Sequence, residues 1–187
     1  MESDRGWSRR RSAARPAREK GEDMGRHGIV VICAGIGWTL LFAAMSFYWA
    51  SGGMIGVESL GGAIYEKAME RDPEFAAVVW ATGFVKLAGA IPLILLLRNG
   101  PGGSFRRLLA RFCMVVGALL FLYGLANFVT ISLAGMNVLD FDLSRYALVW
   151  RLGFWEPFWM AGGWLYFAAG RAGLRRVIAG DRTGGAD

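Results

Sequence analysis

The sequence predicts an all-α integral membrane protein, a bundle of four transmembrane helices with both termini in the cytoplasm. Three observations carry that expectation. First, the apolar residues collect into four segments, Ile29–Ala50, Phe75–Leu97, Phe112–Leu133 and Ala147–Ala169, each 22 or 23 residues long. About 20 helical residues cross a hydrocarbon core of about 30 Å. Second, the chain is 55% apolar and only 19% charged, and just three charged side chains, Lys86, Arg151 and Glu156, fall inside the segments. Third, the basic residues are distributed unevenly between the connections. Eight Lys/Arg precede Ile29, Arg98, Arg106, Arg107 and Arg111 lie between the second and third segments, and Arg171, Arg175, Arg176 and Arg182 follow the fourth. Only Lys67, Arg71 and Arg145 lie in the other two connections. Sixteen against three places both termini and the middle loop inside by the positive-inside rule.

Each element follows in order. Residues 1–28 read as a disordered basic cytoplasmic tail, rich in arginine and without apolar periodicity. Met24 stands just before the first span, so the natural start is either Met1 or Met24. The first span lacks a following A-x-A cleavage pattern and is expected to remain as an anchor. In the first outer loop, residues 51–74, Gly-rich turns lead into a short helix over Ala63–Arg71, expected to lie at the interface, and Asp72-Pro73 stops it and opens the second span. Arg98–Arg111 reads as a tight inner turn through Asn99-Gly100-Pro101-Gly102-Gly103. Ala134–Tyr146 forms the second outer loop, and residues 29–170 make one membrane domain, with 171–187 a second basic cytoplasmic tail.

Several function classes drop out. Cys33 and Cys113 cannot build a disulfide framework, and with no C-x-x-C they read as small apolar core residues. His27 is the single histidine, which removes His-rich zinc sites and bis-histidine haem, so no metal and no cofactor is expected. Neither a nucleotide-binding P-loop nor a G-x-S-x-G elbow occurs. The net charge of +6 suggests nucleic acid until its placement at helix ends is seen; the lipid bilayer is the partner it fits.

The charged residues inside spans are the site candidates, because such residues are costly in lipid and face the protein interior. At about 1.5 Å per residue, Lys86 and Glu156 lie nearly level, close to the midplane on different helices, and should meet directly or through one water. Arg151 is shallower; five residues from Glu156, it stands about 140° away around an α-helix and should not pair with it. Pro157 removes a donor to the Gly153 carbonyl and should kink the fourth span. Asn127, Tyr123, Tyr48 and Trp49 complete the candidate ligand-binding set, with Ser46 and Thr130 as further polar groups nearby.

The segment Ala43-Ala44-Met45-Ser46-Phe47-Tyr48-Trp49-Ala50-Ser51-Gly52-Gly53 resembles the Tyr-Trp-Ala-x-Gly-Gly signature of a bacterial family of four-span membrane proteins, the domain of unknown function numbered 3995. Trp155-Glu156-Pro157-Phe158-Trp159-Met160-Ala161-Gly162-Gly163 is similar to that family's Trp-Glu-Pro-Trp-Phe-x-x-Gly-Gly motif. Where the family often has a histidine ahead of the Tyr-Trp pair, this chain has Ser46. The resemblance implies the four-span architecture and points to Glu156, Tyr48 and Trp49, with no reaction attached.

The expected function is therefore that of a plasma-membrane protein with a polar pocket open toward the outer leaflet, binding or carrying a small ligand or lipid, or serving as a partner subunit. Transport by so few spans would call for a homo-oligomer. The alternative is a membrane enzyme on a lipid-like substrate, with Glu156 as general acid/base and Lys86 tuning it.

Overall fold

The structure is a computed structural model that describes the backbone of residues 4–98, 103–139 and 143–183, with side chains over 25–98, 103–139 and 143–179. Among the described residues there are helices and turns and no strand. Helix α1 spans Asp4–Ala50, α2 Gly62–Met69, α3 Pro73–Leu97, α4 Gly103–Gly135, α5 Arg145–Trp150 and α6 Glu156–Thr183. A 3-10 turn at Glu58–Leu60 precedes α2, and a π-helical turn at Arg151–Trp155 joins α5 to α6. Three helices are long and apolar enough to cross a membrane: the Gly25–Ala50 part of α1, α3 and α4.

Helix boundaries depart from the expected ones where charged residues continue a helix past its apolar stretch. Helix α1 reaches back to Asp4, through residues expected as a disordered tail. Ala, Arg, Glu and Lys are good helix formers, and extending an existing helix carries no nucleation cost. For the same reason α4 starts at Gly103 and takes in Arg106, Arg107 and Arg111, so the inner connection is shorter than the expected loop; of the expected turn residues, Gly103 is helical and 99–102 lie outside those described. Helix α6 likewise runs on to Thr183. The start of α3 follows its sequence signals. Asp72 caps it, its Oδ1 accepting from the amides of Glu74 at 2.9 Å and Phe75 at 3.4 Å, and Pro73 occupies the first helical position. Those two amides, with Lys67 3.6 Å away, hold the Asp72 carboxyl below its ordinary range.

The fourth apolar segment departs most. It is not one α-helix: the Glu156 amide donates to the Arg151 carbonyl, five residues back, and the turn widens. Pro157, which has no amide to give, follows at once. In place of the expected kink, the structure has a π turn.

Helices α4 and α6 pack antiparallel along a seam of glycines. A Cβ on Gly117 would meet the Gly163 carbonyl at 2.6 Å and the Phe167 backbone. One on Gly163 would meet the Gly117 carbonyl at 2.7 Å, and one on Gly170 the Ala110 carbonyl at 2.5 Å. Small residues at such a seam let backbones touch and replace a hydrophobic drive that lipid cannot supply. Helix α1 lies against α3 and α6. Trp38 covers Gly162 and donates to the Phe158 carbonyl at 3.1 Å. The Tyr166 hydroxyl reaches the Gly89 carbonyl at 3.0 Å and Thr39 Oγ1 at 2.9 Å, tying α6 to α3 and α1. Below it the core of Ile32, Leu93, Leu96, Ala110, Cys113 and Ala169 is closed. Cys113 belongs to that core; Cys33 is exposed, which corrects its reading as a core residue, and both thiols are free.

Candidate functional site

Above the Thr39–Tyr166 contact the helices separate and enclose a cavity of about 510 Å³, within the range of roughly 300–1,000 Å³ usual for ligand sites. Helical spacing delivers its walls. On α1, Phe42, Ser46 and Trp49 recur at four and three residues, one face of a helix; on α3, Phe75, Val79, Thr82 and Lys86 do the same. Tyr123 comes from α4, Arg151 and Trp155 from the π turn, and Glu156 and Trp159 from α6. The remaining wall is the segment between α1 and α3, through Met54, Val57, Leu60, Ile64 and Ala68.

That segment is fastened over the cavity by two indoles. Trp49 Nε1 donates to the Ile55 carbonyl at 2.9 Å, and Trp155 Nε1 donates to Ser59 Oγ at 2.8 Å, while the Ser59 hydroxyl donates to the Gly56 carbonyl. Gly61 has a φ of 63°, and a Cβ there would also strike Ala147 at 2.5 Å. Glycine is required on both counts.

Arg151 and Glu156 pair, contrary to the expectation from α-helical geometry. Arg151 Nε and Nη2 both donate to Glu156 Oε1, at 3.0 and 2.9 Å. The physical reason is the π turn. Its i→i+5 hydrogen bonding brings residues five apart one above the other, where an α-helix would hold them on different faces. Glu156 is only 2% exposed, so without Arg151 its charge would be stranded in a dry place.

Lys86 and Glu156 share the cavity but make no direct ion pair, so the direct form of the expected contact is absent. Lys86 Nζ donates to Ser46 Oγ at 2.7 Å and lies 3.7 Å from the centre of the Phe42 ring and 5.9 Å from that of Trp159. The hydroxyl of Ser46 donates in turn to the Phe42 carbonyl at 3.2 Å. Cation–π contact with two rings offsets part of the cost of a central lysine, which insertion scales place at about 2.5–3.5 kcal/mol.

Of the seven candidate residues, Lys86, Glu156, Arg151, Trp49 and Tyr123 line the cavity, and Asn127 and Tyr48 do not. Asn127 turns its amide back to the Tyr123 carbonyl at 2.9 Å on its own helix. Tyr48 folds over Gly53, and its hydroxyl receives the Ile55 amide at 3.4 Å. Residues that sequence reasoning left out are Phe42, Trp155 and Trp159 on the walls and Ser59 behind Trp155. The sequence signals for them are the four-residue spacing of Phe42 and Ser46, and of Trp155 and Trp159, with the two tryptophans also falling in the motif around Glu156. Among the described residues no group of three or more His, Cys, Asp or Glu could hold a metal ion.

A family model described as "Protein of unknown function (DUF3995)" matches residues 39–166, a stretch that takes in every residue lining the cavity. No curated protein and no solved structure shows a significant match to the chain.

Proposed function

The chain belongs to the DUF3995 family of proteins of unknown function, and from that premise we propose that it is a four-span protein of the bacterial plasma membrane that binds a small amphipathic ligand in its cavity. The cavity itself carries this reading: a few polar groups converge at its floor beneath walls of aromatic and aliphatic side chains, the usual make-up of a ligand site. Glu156 is taken up by Arg151, which favours a binding role over general acid/base chemistry.

The fourth crossing is the rod formed by α5, the π turn and α6. Its support is the antiparallel seam with α4, from Gly124 against Trp159 to Gly170 against Ala110, which covers about 21 Å of a membrane-length helix. With both termini cytoplasmic, as the basic residues favour, the cavity belongs to the outer half and α2 to the outer interface. Phosphatase fusions within residues 51–74 and 134–146 are then active and fusions at either terminus inactive; an active C-terminal fusion overturns this arrangement.

The ligand reading is tested by mass spectrometry of protein purified in mild detergent. An amphiphile recovered at near-stoichiometric amount, and displaced by Ala76→Trp in the cavity wall, is the expected result. Recovery of only bulk lipid, unchanged by that substitution, counts against it.

A further inference from the structure

We propose that the cavity selects a lipid with an anionic head group, docked on Lys86, with an acyl chain leaving between α3 and α4 into the bilayer. This rests on reading the cavity as a ligand site and names the class of ligand.

Charge argues for the anion. Four cations line the cavity, Lys67, Arg71, Lys86 and Arg151, against two acids, Asp72 and Glu156. Both acids are taken: Asp72 by Lys67 at 3.6 Å and by two backbone amides, Glu156 by the Arg151 guanidinium. Lys86 is the one cation within α3, and a hydroxyl is its hydrogen-bond acceptor. An ammonium has three protons to donate; its one oxygen acceptor here is Ser46, and the Phe42 ring faces it at 3.7 Å. Carboxylate or phosphate oxygens fit what remains, and a charge-assisted hydrogen bond is stronger than one to a neutral group. A cationic head group would meet Lys86 and Arg151 without a free carboxylate to receive it.

The opening argues for a lipid over a soluble anion. Helices α4 and α6 are closely packed, as are α1 and α3, but α3 and α4 touch only sparsely. Val78 of α3 is 59% exposed and Tyr123 of α4 53% exposed, and both also line the cavity. The cavity therefore continues sideways to an apolar surface, past Phe75 and Val79. On the other side the loop carrying Met54, Val57 and Leu60 closes it, held by the Trp155–Ser59 and Trp49–Ile55 hydrogen bonds. A head group entering from the bilayer reaches Lys86 with its chain still in lipid.

The test uses the full chain in nanodiscs of phosphatidylcholine, with radiolabelled palmitate as probe. Competitors are a lysophosphatidic acid, neutral monopalmitoylglycerol and inorganic phosphate. The expected result is that palmitate and the lysophosphatidic acid bind at least about tenfold more tightly than the neutral lipid, and that inorganic phosphate does not compete. Lys86→Met should abolish that preference and Lys86→Arg retain it. Equal binding of neutral and anionic lipids overturns the head-group assignment and leaves the ligand site standing. Competition by inorganic phosphate at matched concentration overturns the lipid source. A complete lack of amphiphile binding by the wild-type chain overturns the ligand-site reading itself. The wild-type comparison decides these outcomes even where a Lys86 variant fails to fold.

Discussion

The seam between α4 and α6 and the cavity above the Thr39–Tyr166 contact lie along the same bundle and obey opposite rules. In the seam, backbone meets backbone: Gly117, Gly163 and Gly170 each leave no room for a single added carbon. In the cavity the helices are held apart by large side chains, Phe42, Trp49, Trp155 and Trp159, and polar groups face a space of about 510 Å³. The seam binds its two helices through close van der Waals contact, and the cavity stays open because its aromatic groups prop it. That contrast sets where this protein tolerates change.

The largest effect should come from breaking the seam. Gly117→Val or Gly163→Val puts side-chain atoms where the opposing backbone already lies, and the backbone cannot turn aside as a flexible side chain does. Overpacking ordinarily costs about 1–3 kcal/mol; here loss of a monodisperse peak in detergent is expected. Gly37, with nothing within 4 Å of its would-be Cβ, supplies the contrast. Gly37→Ala should be stabilising by about 0.4–1 kcal/mol, read as a raised Tm.

The ion pair at the cavity comes next. Glu156→Gln or Arg151→Met breaks a buried pair from one side, at a cost of up to about 3–5 kcal/mol. The double substitution Arg151→Met with Glu156→Gln should recover much of the loss, and strictly additive losses in thermal unfolding would show that the two are not coupled. Ser59→Ala is smaller. It leaves the Trp155 indole without its acceptor, worth about 1–3 kcal/mol, and the expected readout is faster proteolysis within residues 51–61 at unchanged seam stability.

The smallest effect is a titration at the foot of α3. Asp72 has its carboxyl lowered from the ordinary value of 3.8 by the Glu74 and Phe75 amides it receives. The cap's contribution is therefore complete above the unfolded value and is lost as pH falls through the lower folded one. Hydrogen exchange of the Glu74 and Phe75 amides, corrected for intrinsic rate, should speed up only on strong acidification. Asp72→Ala should show the faster exchange at every pH, and an Asp72→Ala profile matching the wild type would remove the cap from the account.

How far the sequence reached can be followed along the same contrast. Length and hydropathy place the three membrane-length helices, since each is a long apolar run without a break. Asp72-Pro73 marks the start of α3 by local chemistry that no tertiary contact has to supply. The break in the fourth apolar segment is only half legible. Pro157 announces a missing donor, but whether a helix answers with a kink or a widened turn depends on its neighbours. Hence the Arg151–Glu156 pair escaped a reading at 100° per residue. Lys86 stood out as a charge in an apolar run, whereas its partners Ser46 and Phe42 did not. A phenylalanine in a span has the same appearance whether it faces lipid or a cavity.

The widened turn also bears on how chains of this family are aligned. It places five residues in the angular space of four, so it acts as a one-residue insertion that leaves the Arg151–Glu156 pairing intact. A chain one residue shorter there would set the same two side chains four apart on an ordinary helix face and keep them in contact. Positions on the α5 side of the turn are then out of step by one with those on the α6 side. Equivalent residues across that point are matched by the direction in which they face, and a gap-free column count shifts Ala147, which packs against Gly61, onto the wrong neighbour.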